Sequence, residues 1–200
     1  TVTNTYFMND TFTVPVVSIS TDTESFFGDS GIYVPGPLAG SGIFNYTMDW
    51  RTTVHAEYFD QDQTLAFNQD FGCEIFGGGS RHHPMKSLKL IASEQYGKKT
   101  IDYQLFDDKP HLTEFKKIVL RNAGNDFNKG HCRDAVVHTT VLRDPLLNVD
   151  ALAYRPTIVF INGVYWGLYG LSEKVDKYYF NYNHGVDPEN IDLLSAHTIF

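Results

Sequence analysis

Residues 77–90 read GGGSRHHPMKSLKL, and the chemistry open to this run is the holding of a phosphate. Gly77, Gly78 and Gly79 let backbone N–H groups approach an anion, Ser80 adds a hydroxyl, and Arg81 and Lys86 bring fixed positive charge. Lys86 opens the apolar run SLKLIAS and is the candidate phosphate contact, because an ammonium is a compact point charge suited to phosphate oxygens. Lys89, three positions on, points to the opposite side of a regular strand and is the weaker candidate. A tight hairpin turn followed by a solvated strand-end lysine accounts for the same residues. Arg81 then locks the loop to a carboxylate, and Ser80 closes the turn.

Asp134 is the candidate partner for Lys86, since it stands near the start of a helical pattern that follows the lysine strand. Its alternative is structural. An acid in the first turn of a helix is favoured by the macrodipole alone, and Arg133-Asp134 can pair with the preceding Leu120-Arg121-Asn122 residues. Arg121, Asn122 and Asp126 read as a polar cluster that fixes a loop. Glu173, just after the run VYWGLYGL, is a second candidate, and its alternative is a pairing with Lys174 or Arg133. Trp166, Tyr165 and Tyr169 read as core and sheet aromatics. No metal site is expected: His82 and His83 are adjacent and face opposite ways on a strand, with no carboxylate or cysteine at ligand spacing. Cys73 and Cys132 fit no zinc pattern and read as two buried thiols.

Two hundred residues suit one domain, 1–200, and the opening TVTNTYF reads as that of a trimmed chain. Fifteen Phe and twelve Tyr favour strands. A net charge of −8 without a basic stripe argues against nucleic acid and anionic membrane as partners. No apolar run approaches the roughly 20 residues of a membrane-spanning helix. Strands are expected at 14–19, 31–34, 52–59, 64–76, 87–93, 101–106 and 115–121. Helical segments are expected at 21–28, at 131–144, where Ala135, Val136, Val141 and Leu142 share one face, and at 176–182, with a short closing element at 187–194. Asn162-Gly163 between two apolar runs is a strong hairpin signal. Both runs are apolar on both faces, which predicts a hairpin central in its sheet. The fold class expected is α+β, with a mainly antiparallel sheet and a few helices. The order of Gly-rich loop, lysine strand, helix and hairpin parallels the small lobe of protein kinases.

Three segments together carry a more specific likeness: GGGSRHHPMKSLKL, LRNAGNDFNKGHCRDAVV and INGVYWGLYGLSEKVDKYYF. With VPVVSISTDTESFFGDSGIYV they resemble the spore-coat protein H (CotH) family of secreted, kinase-like proteins. The resemblance implies a phosphotransferase that binds ATP and Mg²⁺ and phosphorylates serine in a secreted, coat or surface protein, at an extracellular or cell-surface location. It also implies that Lys86 and Asp134 are catalytic, and that Gly77, Gly78, Gly79, Ser80, Arg81 and Glu173 bind the nucleotide, Glu173 at the hinge against the adenine. Phe76 stands where the family has an arginine. The D-W-x-x-N-N and D-x-D segments that follow the YWGLY hairpin in the family are not met by Phe200. The chain therefore reads as the nucleotide-facing front portion of such a protein. The alternative is a non-catalytic surface or adhesion module on the same fold, which the acidic, aromatic-rich composition also suits.

Overall fold

The computed structural model describes residues 4–194. Seven strands close into a barrel whose order is β1 (Val16–Thr21), β2 (Arg51–Phe59), β3 (Leu65–Phe76), β4 (Ser87–Ile91), then β7 (Lys117–Arg121), β9 (Val164–Glu173) and β8 (Tyr154–Ile161). Every neighbouring pair is antiparallel except β8 with β1, which closes the ring in parallel. A separate two-stranded ribbon, β5 (Ile101–Asp102) with β6 (Glu114–Phe115), lies outside the ring.

Period-two alternation decides which side chains enter. Val54, Ala56 and Tyr58 of β2, Phe71, Cys73 and Ile75 of β3, and Leu88 and Leu90 of β4 are all buried in the central core. They are joined by Ile118 and Leu120 of β7, Val159 and Ile161 of β8, and Tyr169 and Leu171 of β9. Burying side chains of this size stabilises the fold by about 1.5–3 kcal/mol each. Intervening residues, among them His55, Lys89 and Arg121, point outward from this core, each toward a carboxylate partner.

The barrel corrects the expected α+β class and its likeness to a kinase small lobe. That expectation required an open, mainly antiparallel sheet with a helix packed on it. Here β8 pairs with β9 on one side and β1 on the other, so the sheet has no edge. The helices are short and peripheral: α1 (Thr23–Phe27), α2 (Arg133–Arg143) and α3 (Lys177–His184). In α2 only Ala135 is buried, and Val136 is 58% exposed, so the apolar face expected there is not packed into the core.

Local chemistry sets the element ends. Asp22 caps α1 by accepting from Ser25 N at 2.8 Å, and Asp176 caps α3 by accepting from Tyr178 N at 2.9 Å. Asn162 (φ 50°) and Gly163 (φ 78°) make the expected tight hairpin turn. Asn162 Oδ1 also accepts from Thr21 N at 2.8 Å, which ties this hairpin to the end of β1. The hairpin is not buried on both faces: Val164, Tyr165 and Leu168 are exposed, while Tyr169 onward is buried. The segment at 31–34 is not a strand; Ile32 and Tyr33 are buried from a loop. Of residues 101–106 only Ile101–Asp102 is strand, and 187–194 holds a single 3₁₀ turn, Pro188–Asn190. Cys73 is buried, but Cys132 is exposed; both are free thiols. Among the described residues no helix is long and apolar enough to cross a membrane.

Candidate functional site

The Gly-rich loop joins β3 to β4 and is held from below. Gly77 has φ 115°, and a Cβ there would lie 2.4 Å from Ser80 Oγ, so both backbone and space require glycine. A Cβ on Gly78 or Gly79 would meet nothing within 4 Å, which leaves this backbone open to a ligand. The loop ends in a 3₁₀ turn, Gly79–His82.

Lys86 immediately precedes β4, and its ammonium turns beneath that 3₁₀ turn. Nζ donates to Arg81 O at 2.7 Å and to His83 O at 3.0 Å, and lies 3.9 Å from the centre of the Tyr46 ring. Its backbone N–H donates to Tyr33 Oη, which also accepts from Trp166 Nε1, and its carbonyl accepts from Tyr169 Oη. Lys86 is 5% exposed, and burial pushes its ammonium down to about 8. Its positive charge is therefore spent on two carbonyls and an aromatic face. Lys86 meets the loop but does not line the hollow above it.

Asn122 is the second fastening. It is fully buried just after β7. Nδ2 donates to Met85 O at 2.6 Å and Ser80 O at 3.3 Å, while Oδ1 accepts from Ser87 Oγ at 2.8 Å and Gly124 N at 3.0 Å. One amide thus joins the Gly-rich loop, β4 and the 3₁₀ turn Gly124–Asp126. Of the expected Arg121, Asn122 and Asp126 cluster, these bonds give the loop-fixing role to Asn122, while Arg121 and Asp126 pair with Asp134 and Arg133.

Above the loop lies a hollow of about 760 Å³. Residues 77–81 form one wall, and Gly124, Asn125, Asp126 and the start of α2 form the other. Five cations line it, Arg81, Lys89, Arg121, Lys129 and Arg133, against two carboxylates, Asp126 and Asp134. This positive excess stands out on a chain of net charge −8.

Four of the five cations are oriented by a carboxylate neighbour. Lys89 and Arg51 lie opposite Glu74 on either side of β3, and both form ion pairs with it. Burial opposes ionisation of Glu74, but hydrogen bonds from Lys89 and Arg51 outweigh it and hold the carboxyl below its usual range. Arg81 donates from Nε to Gly77 O at 2.5 Å and pairs with Asp49 at 2.6 Å, so it braces the loop from within. Arg121 pairs with Asp134 at 2.9 Å. Arg133 pairs with Asp126, which also accepts from the Gly130 and Arg133 N–H groups. Burial acts against the Asp126 charge, yet these donors hold its carboxyl below the ordinary value. Lys129 has no carboxylate partner among the described residues.

Of the sequence candidates, Gly77, Gly78, Gly79, Ser80, Arg81 and Asp134 converge on this hollow. Lys86 and Asp134 are not brought together, because Asp134 is taken by Arg121. Glu173 sits elsewhere. It is buried at the end of β9, where it accepts from Lys109 Nζ at 2.6 Å, Ala153 N at 2.7 Å and Asn183 Nδ2 at 2.8 Å. These bonds tie β9 to α3 and to the approach to β8. Trp166 and Tyr169 pack on or in the core and Tyr165 lies on the sheet surface, 58% exposed, in keeping with the core and sheet-surface roles expected of them.

Lys89, the weaker sequence candidate, lines the hollow, and Lys86 does not. Leu88 and Leu90 mark the inward face of β4, so Ser87 and Lys89 must face out, and that alternation was the available signal. Nothing local to the sequence marked the pairing of Glu74 with Lys89, which depends on strand register.

The donor set fits nucleotide phosphates: unpaired loop amides, a hydroxyl and several fixed cations. Among the described residues no three His, Cys, Asp or Glu side chains converge to hold a metal. The family model described as CotH kinase protein matches residues 73–198, a span that includes the Gly-rich loop, the hollow and the hairpin. No curated protein matches the chain.

Proposed function

We propose, from the premise that this chain belongs to the CotH family, that it binds ATP through the hollow beside residues 77–81 and serves a phosphotransferase. The single observation that carries this reading is the meeting of an open glycine backbone with five cationic side chains in one hollow. Loop amides of Gly78 and Gly79 approach the phosphate chain. Lys89, held by Glu74, and Arg121, held by Asp134, neutralise it from the barrel side. Lys129 closes the far wall.

Such groups act by position and field. Fixed positive charge stabilises the negative charge that spreads over phosphoryl oxygens in transfer, and it needs no reorganisation at that moment. Lys86 belongs to this scheme as the fastening under the loop, one step removed from the phosphates. Mg²⁺, which the resemblance also implies, is held in nucleotide sites by one or two carboxylates together with the phosphates; Asp126 and Asp134 line the hollow but are paired with Arg133 and Arg121, so no step is assigned to it. Following the same resemblance, the acceptor is a serine of a secreted or surface protein, met outside the cell or at its surface.

The test is calorimetric titration of the chain with ATP, with and without magnesium. Lys89→Met removes one charge-assisted contact, worth about 1.5–3 kcal/mol, so affinity should fall about ten-fold or more. Lys86→Arg should keep most of it. Absence of any ATP heat in the wild type, or equal affinity in Lys89→Met, would remove the basis for the reading.

A further inference from the structure

The outer face of β1, β2 and β3 carries a second hollow, of about 990 Å³. It shares no lining residue with the cationic hollow. Cross-strand register builds its floor. Ser20 lies opposite His55, and His55 lies opposite Asp70, so three outward side chains form one row across three strands. His55 Nδ1 and Asp70 Oδ1 are 2.7 Å apart. Asn162 stands at the rim with its oxygen bound to Thr21 N. The segment of residues 4–10 runs along the opposite rim, anchored where Thr5 Oγ1 meets Glu57 Oε2 at 2.5 Å and Ser18 Oγ at 2.8 Å.

The free groups define the ligand. Among the described residues, His55 Nε2, the second oxygen of Asp70, the hydroxyl of Ser20 and the amide nitrogen of Asn162 have no protein partner. Donors and acceptors are therefore mixed. No Lys or Arg lines the hollow, and three aspartates do, so an anion is repelled. A cationic ligand fits poorly as well. Of the three aspartates, Asp70 is already paired with His55 and Asp22 is bound to Ser25 N, which leaves Asp10 on the exposed 4–10 rim, and the free amide donor has no use for an ammonium. A hydroxyl both donates and accepts, so closely spaced hydroxyls use the whole set at once. Phe160 supplies an apolar wall for the C–H face of a ring.

We propose that this hollow is a binding site for a neutral, hydroxyl-rich ligand, namely an oligosaccharide. It is separate from the phosphate hollow and does not rest on that reading. The Ser20, His55, Asp70 row is one of recognition and not of nucleophilic catalysis. Ser20 makes no hydrogen bond to His55, and Asp70 has half its side chain in solvent.

The experiment presents the chain to an array of neutral, sulfated and sialylated oligosaccharides, followed by calorimetry with the neutral glycans retained. Retention of neutral glycans alone is expected. Ser20→Leu, which fills the hollow from an outward strand position, and Asp70→Asn should each weaken it at least ten-fold while leaving the melting temperature unchanged. Lys89→Met should leave glycan binding intact. Retention of no neutral glycan, preference for acidic glycans, or binding that survives both variants would overturn the proposal. So would covalent capture of Ser20 by a fluorophosphonate, which would make the row a nucleophilic one.

Discussion

Asn122→Asp changes two atoms' worth of chemistry at the fastening of the Gly-rich loop. The substitution is isosteric, so packing is kept. Oδ1 still accepts from Ser87 Oγ and Gly124 N. The former amide nitrogen becomes an acceptor facing two carbonyls, Met85 O at 2.6 Å and Ser80 O at 3.3 Å. Ser80 O keeps a donor in the His83 N–H, so Met85 O is the carbonyl left without one, at about 1–3 kcal/mol, and an ionised carboxylate placed there adds a desolvation penalty. The expected loss at pH 7 is about 3–5 kcal/mol, a large share of the roughly 5–15 kcal/mol that holds a typical domain. The loss depends on pH with a fixed sign. Burial against two carbonyls raises the folded-state pKa of the new carboxyl above its unfolded value near 4. The destabilisation is then complete above the folded pKa and shrinks as pH falls through it, because the protonated carboxyl donates to Met85 O again. Urea denaturation of wild type and variant at pH 7 and pH 4 reads both quantities. A loss under about 1 kcal/mol at pH 7, or a gap that does not narrow at pH 4, would refute the reasoning.

Two further outcomes are expected. Glu173→Gln leaves the buried Lys109 ammonium without its counter-charge, so denaturation should show a loss of about 3 kcal/mol with the ATP heat unchanged. An unchanged midpoint would show the pair to be dispensable. Lys86, pushed down to about 8 from its ordinary 10.5, binds fewer protons folded than unfolded between those values. Wild-type stability, measured against Lys86→Met, should therefore rise from pH 8 to about pH 10.5 and be flat below pH 8; a falling difference would contradict the burial of its charge.

Much of the element order was legible because it rests on local rules. Asn162-Gly163 can make only a few turns, Asp22 and Asp176 are natural caps, and Leu88 and Leu90 announce a strand with one buried face. Closure was not legible. The parallel pairing of β8 with β1 joins residues over a hundred positions apart, and no local pattern encodes which edges meet. Helical spacing at 131–144 gave α2 its place but overstated its burial, since a helix on the outside of a barrel needs only Ala135 as a contact. Within the site, the glycines and Arg81 were readable from type and spacing. Alternation put Lys86 and Lys89 on opposite sides of the strand but did not say which side faced the hollow, and the Arg51, Glu74, Lys89 row required register across three strands.

The most direct test is amide NMR of the isotopically labelled chain titrated with ATP. Saturable shifts are expected at Gly77, Gly78, Gly79, Ser80, Lys89, Arg121 and the first turn of α2, with Ser20, His55 and Asp70 unmoved. Shifts absent from residues 77–81, or confined to another face of the barrel, would contradict the assignment of the phosphate hollow.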